Sequence, residues 1–297
     1  MELGLIFPTA EIGTDLTIIR DYVQAAEDLG YAHIMAYDHV VGAVHEGRDP
    51  PLNGPYTQHD PFHEPLTLLA YIAAITKRVR LATGVMILPQ RQTVLVAKQV
   101  AQLDLLSGGR MIFGVGTGWN PVEYESLGMS FKDRGAVLDE QIELLRKLWS
   151  ESLVDFTGRF HRVDRAGINP LPPRQIPIWM GGFGKNPVER AVQKGDGYIF
   201  GGNEKGLELA HYLIEQLERH GRDPSTFGMD FSIKYHEGPD AWHKGAEDWL
   251  KLGVRYLSLN TMGQPGLHNP GPRLGSPRAH IDAAVRFMEE MKGYVSG

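Results

Sequence analysis

The chain's 297 residues are 42% hydrophobic, enough for a sizeable core in one large domain or two ordinary ones. Thirty basic against 36 acidic side chains leave a net charge of −6, which argues against a nucleic-acid or anionic-membrane partner. There is no cysteine, so disulfides, thiolate metal sites and a cysteine nucleophile are excluded; with no apolar run near ~18 residues and no leader pattern in MELGLIFPT, a soluble cytoplasmic protein is expected.

Strand and helix signals alternate from the start. Residues 2–7 (ELGLIF) read as a strand ended by Pro8. Leu16, Ile19, Val23, Ala26 and Leu29 recur at helical spacing over 15–29, and Gly30 stands where a helix end favours a left-handed residue. A second strand, 32–37, is apolar on both faces, as strands inside an α/β sheet are, and stops at Asp38 and His39. Gly42 to His63 is a long irregular segment, a length that points to function or disorder. Glu64-Pro65 opens a helix to about Lys77; residues 79–88 (VRLATGVMIL) read as one strand and 93–106 as a helix. Met111 to Val115 is a fourth strand, running into Gly-Thr-Gly-Trp-Asn at 116–120, and Asn120-Pro121 reads as the start of a helix. A helix over 133–149 and a small hairpin over 154–163, about Thr157-Gly158, follow. Strand 177–180 leads to a glycine-rich turn and a helix opened by Asn186 and Pro187. Strand 198–200, helix 204–219, strand 229–235, helix 240–252, strand 254–259, a loop over 260–276 and helix 277–292 complete the pattern.

Eight strands, each followed by a helix and without a composition break, predict one α/β domain over 1–297. Its form is a (β/α)8 TIM barrel with long loops after strands 2 and 8. A doubly wound open sheet with a small second domain is the alternative.

In a barrel the C-terminal strand ends converge and ligands gather there. Several of these ends are glycine-rich, which lets a flat or phosphorylated ligand approach the backbone. Gly181-Gly182, with Lys185 nearby, either present amides to an anion or form a tight turn. Thr117 and Gly118 carry the same two readings, and Trp119 is either a pocket wall or packing under a loop. His39 either handles a proton or is a satisfied polar residue at the rim. Strand alternation sends Asp38 and His39 to opposite sides, so they are not expected to pair. His45, His59 and His63, with Asp60 and Glu64, lack a metal-ligand spacing, and no metal is expected. No GxSxG elbow, P-loop or dinucleotide fingerprint occurs.

AYDHV at 36–40, RVRLATGVMILP at 78–89, LDLLSGGRMIFGVGTGWNPVEYESLG at 103–128 and PIWMGG with AVQKGDGYI at 177–199 resemble the luciferase-like oxidoreductase superfamily. Within it the chain is most similar to the coenzyme F420-dependent (deazaflavin) branch. The resemblance covers nearly the whole length and implies a (β/α)8 barrel, a homodimer, and hydride transfer between F420 and a small-molecule substrate. It implies a cis peptide at Gly84-Val85 against the ring, cofactor contacts from Asp38, Thr117 and Gly118, phosphate contacts from Gly181 and Gly182, and proton transfer by His39. The loops 42–63 and 260–276 would close over the site. Sugar-phosphate dehydrogenases of that branch carry a carboxylate after the Thr-Gly, where this chain has Trp119. The departure suggests an apolar or aromatic substrate pocket shared by Trp119, Trp179, Phe62 and Tyr56. An FMN-dependent monooxygenase, a non-catalytic flavin-binding protein and a metal-dependent barrel hydrolase are the competing expectations.

Overall fold

Parallel strands and helices alternate around a closed wall. The structure, a computed structural model, describes residues 1–263 and 271–295. In chain order it runs β1 (Glu2–Ile6), α1 (Leu16–Asp28), β2 (His33–Ala36), α2 (Pro65–Ile75), β3 (Arg80–Thr83), β4 (Met86–Ile87), α3 (Thr93–Leu106) and β5 (Met111–Gly116). Then come α4 (Pro121–Ser126), α5 (Arg134–Ser150), the antiparallel pair β6 (Val154–Thr157) and β7 (Arg162–Ala166), β8 (Ile178–Gly181), α6 (Lys185–Lys194) and β9 (Gly197–Gly201). The chain continues through α7 (Glu204–Arg219), β10 (Gly228–Lys234), α8 (Pro239–Leu250), β11 (Tyr256–Asn260) and α9 (Pro277–Met291).

The strand order β3-β2-β1-β11-β10-β9-β8-β5 closes on itself through Leu81↔Met111 and Ala82↔Ile112. All eight pairings are parallel, so the wall is a (β/α)8 barrel. Local chemistry starts the helices: Asp15, Glu64, Asn203 and Ser276 each accept a first-turn amide, and Pro65, Pro239 and Pro277 sit where no amide is needed. Among the described residues no helix is long and apolar enough to cross a membrane.

Two apolar layers follow from alternation. Outward side chains such as Leu3, Leu5, Ile34, Leu81 and Phe113 pack under the helices. Inward ones, Ile6, Met35, Ala82, Ile112 and Trp179, fill the barrel. The interior also holds His33, Ser258 and Asp230, all fully buried and joined in a chain of hydrogen bonds through Ser258. The ring of His33 occupies the space beside Gly4, where a Cβ would lie 2.2 Å from it.

Three elements differ from the sequence expectation. The strand expected over 79–88 is broken: Gly84 donates its amide to Ala36 O at 2.8 Å, and beyond it the chain leaves β2. β4 then pairs Met86 with Val115 and Ile87 with Gly116. The Gly84-Val85 peptide between the two pieces is cis, as the resemblance implies. The hairpin extends to Ala166, and its turn is clamped by Glu140, which accepts the amides of Arg159, Phe160 and His161. Helix α6 begins at Lys185 after Gly184, two residues before the expected Pro187. Part of the loop expected over 260–276, residues 264–270, lies outside the described residues.

Candidate active site

The end of β2 sends its last side chains to different sides, as alternation requires. Asp38 turns into the wall. Its Oδ1 accepts from Arg91 Nη2 at 2.8 Å and its Oδ2 from the Ile87 amide at 2.9 Å. Burial pushes the Asp38 carboxyl up, while Arg91 and the Ile87 amide pull it down. Both oxygens are thus used by the protein, and Asp38 pins β4 and Arg91 to the strand end.

His39 turns the other way, under the 42–63 segment. Its ring lies 4.9 Å from Tyr56, 4.8 Å from Phe62 and 5.8 Å from Trp119, each edge-on. Its Nδ1 is 3.2 Å from both carboxylate oxygens of Glu123. Glu123, in the first turn of α4, is 1% exposed. Burial alone would raise its carboxyl, but the hydrogen bonds from His39 and from the Val40 and Val41 amides hold it below the usual carboxylate range. A cleft of about 80 Å³ opens here, lined by His39, Val41, Tyr56, Asp60, Phe62 and Asn120 among others.

The turn after β5 is built by its own residues. Thr117 O accepts from Tyr124 Oη at 2.7 Å, and Asn120 Oδ1 caps α4 through the Val122 amide at 3.0 Å. Trp119 lies against Gly54, where a Cβ would meet the indole at 1.9 Å; only glycine lets the 42–63 segment seat there. Across the mouth, the adjacent strands β5, β8 and β9 end in Gly116, Gly181 and Gly201. Val85 spans the first two, its methyls within 2.7 Å of where a Cβ on either would stand. Thr117 and Gly181 also meet around a smaller hollow with Val115, Met180 and Arg190.

The structure therefore brings His39, Tyr56, Phe62 and Trp119 together, and separately Val85, Thr117 and Gly181. Trp179 joins neither group. It points into the barrel over Gly197 and Gly228, 5.1 Å from the ring of Tyr256, because its place in the β8 register faces inward. Lys185 holds its Nζ over the ring of Tyr212, and Gly182 gives its carbonyl to Tyr198 Oη. Glu123 and Arg91 are the residues the sequence did not single out. The available signal at Glu123 was weak: an acid in a first helical turn is favoured by the helix dipole alone.

Similarity to known proteins agrees with the barrel fold. The chain is 34% identical over 226 residues to an uncharacterized protein of Mycobacterium tuberculosis, covering 74% of this chain and 78% of that one. It is 30% identical over 264 residues to an F420-dependent glucose-6-phosphate dehydrogenase of Kineococcus radiotolerans, covering 85% and 72%. Two solved structures share the fold. One is the monooxygenase RslO1 of Streptomyces bottropensis, with a TM-score of 0.79, 20% identity and full coverage of both chains. The other is the coenzyme F420-dependent tetrahydromethanopterin reductase of Methanopyrus kandleri, with a TM-score of 0.74, 16% identity and 99% coverage of each. The model of the luciferase-like monooxygenase family matches residues 1–260, and the chain belongs to that family of oxidoreductases.

Proposed function

We propose that this chain is a coenzyme F420-dependent oxidoreductase acting on a small apolar or aromatic substrate. The observation that carries the reading is the position of His39. It is a half-buried imidazole in an aromatic-walled cleft, and it stands at the same barrel end as three glycine-terminated strands. The F420-dependent relative at 30% identity supports the deazaflavin reading.

The residues present suit a flat ring with a phosphorylated tail. Gly116, Gly181 and Gly201 leave the mouth without side chains at three adjacent strand ends, and Val85 supplies an apolar prop. Gly84-Val85 and Thr117-Gly118 would hold the ring system, and the amides of Gly181-Gly182 its phosphate. When bound, the deazaflavin supplies two-electron hydride chemistry. Tyr56, Phe62 and Trp119 orient the substrate and exclude water. His39 moves the proton that accompanies the hydride. Asp38 acts through Arg91 and Ile87, which it fixes. A homodimer of cytoplasmic location belongs to the same reading.

Titration of the purified protein with F420 and with FMN, followed by fluorescence quenching, tests the proposal. Saturable binding of F420 with weaker or no FMN binding is expected. FMN binding with oxygen consumption from reduced FMN would instead favour the second reading, a luciferase-like monooxygenase, which the family itself keeps in view.

A further inference from the structure

We infer that Glu123 is a positioning residue for His39: it fixes the imidazole as the Nδ1–H tautomer and so makes Nε2 the atom that exchanges protons in the cleft. Both Glu123 oxygens lie 3.2 Å from Nδ1, and an ionised carboxylate only accepts. The carboxylate is itself oriented, since Oε1 accepts the amides of Val40 at 2.8 Å and Val41 at 3.4 Å. These amides follow His39 directly in the chain, so one segment positions both the imidazole and the acid facing it. Hydrogen bonding that favours the charged form keeps Glu123 ionised despite its burial.

Among the described residues, the rest of the surroundings leave this assignment to Glu123. The ring meets Tyr56, Phe62 and Trp119 in T-shaped contacts, which restrain its plane but offer no carboxylate. His45 donates Nε2 to Tyr56 O at 2.9 Å. Asp60, further along the cleft, accepts from the amide and hydroxyl of Thr57 and pairs with Arg273. Asp38, adjacent in the chain, is committed to Arg91. With a deazaflavin bound as the hydride partner, the Nε2 lone pair would take the proton that the substrate gives up. The resulting imidazolium faces the Glu123 carboxylate, and in reduction the proton returns from Nε2. Trp119 stands where a carboxylate would follow the Thr-Gly, and the acid near the imidazole comes instead from Glu123, four residues later on α4.

The catalytic consequence rests on the function proposed above, but the tautomer can be read on the protein alone. In 15N-histidine-labelled protein without cofactor, the neutral His39 ring should carry its proton on Nδ1 in about tenfold excess or more, the preference a charge-assisted hydrogen bond supplies. Glu123→Gln can turn its amide nitrogen to Nδ1 and should shift the proton to Nε2, while Glu123→Asp should restore part of the Nδ1–H form. In turnover Glu123→Gln should lower kcat by about 10²-fold or more with KM changed less than about threefold, the pattern of a group that acts in the transition state. An Nε2–H ring in the unmodified protein, or identical ring spectra in Glu123→Gln, overturns the inference. If F420 fails to bind yet the ring is Nδ1–H, only the cofactor reading falls.

Discussion

Two histidines six residues apart on one strand segment each face a buried carboxylate, and their fates differ. His33 opens β2 inside the barrel; its Nε2 lies 2.7 Å from Ser258 Oγ, which in turn donates to Asp230 at 2.9 Å. Burial pulls His33 down to about 3 and pushes Asp230 up to about 7. His39 stands beyond the end of the same strand, at the cleft, and its partner Glu123 is held below the usual range. The chemical pair is the same; the donors around the acid differ. Glu123 receives two backbone amides and an imidazole, whereas Asp230 has one hydroxyl and a distant imidazole at 3.7 Å. Charge is thus suppressed where the barrel is sealed and kept where it opens.

The largest test of that contrast removes the imidazole at the mouth. His39→Asn should lower kcat by about 10²–10⁴-fold, the usual range for loss of a positioned acid–base group. The melting temperature should fall only modestly, because the Asn amide can still donate to the buried Glu123 carboxylate. Steady-state kinetics beside a thermal melt would check both. A cold-labile or unfolded His39→Asn protein would mean that the mouth pair is as structural as the inner one.

The inner pair should instead be visible in stability against pH. Asp230 titrates near 3.8 when unfolded and at about 7 when folded, so its raised value favours folding fully only below pH 3.8, and that advantage is lost as pH rises to about 7. The depressed value of His33 has the opposite slope: its contribution is present above about pH 6.5 and is lost as pH falls towards 3. Across pH 4–6.5 the two slopes largely cancel. Asp230→Asn removes one of them. Relative to the natural protein, the variant should gain roughly 4 kcal/mol between pH 4 and 7, the free-energy equivalent of the gap between 3.8 and about 7. Denaturant midpoints at the two pH values would show it, and a pH-independent difference would mean that Asp230 is ionised in the folded barrel.

The barrel was legible because its signals are local. Helical spacing, caps and runs of apolar residues are each written within about fifteen positions, and their alternation fixes the topology. What failed depended on neighbours far along the chain. The strand over 79–88 breaks because Gly84 still pairs with β2 while Met86 pairs only with β5, an exchange of partners that apolar patterning does not show and that only the family resemblance marked, at Gly84-Val85. Trp179 was grouped with Trp119 as an aromatic near a strand end, but its direction is set by the inward register shared with Gly197 on β9. At the mouth, His39 stood out by its place after an apolar strand. Glu123 did not, since its contact with His39 spans 84 residues and its local setting is that of any acid in a first helical turn.

Trp119 separates two meanings of the aromatic wall. Its indole lies 5.8 Å from His39 and against Gly54, so it touches both the proton-transfer group and the segment covering it. If it binds substrate, Trp119→Ala should raise KM about tenfold for an apolar aromatic substrate, the equivalent of losing ~1.4 kcal/mol of buried contact, with kcat nearly unchanged. Trp119→Phe should recover most of that loss because the flat apolar face survives. If Trp119 serves only to hold His39, the split reverses: kcat falls while KM stays, and the His39 ring loses its fixed plane. An unchanged KM with a lowered kcat would therefore withdraw the substrate wall from Trp119 and leave it with Tyr56 and Phe62, making the indole a third restraint on the imidazole beside Glu123.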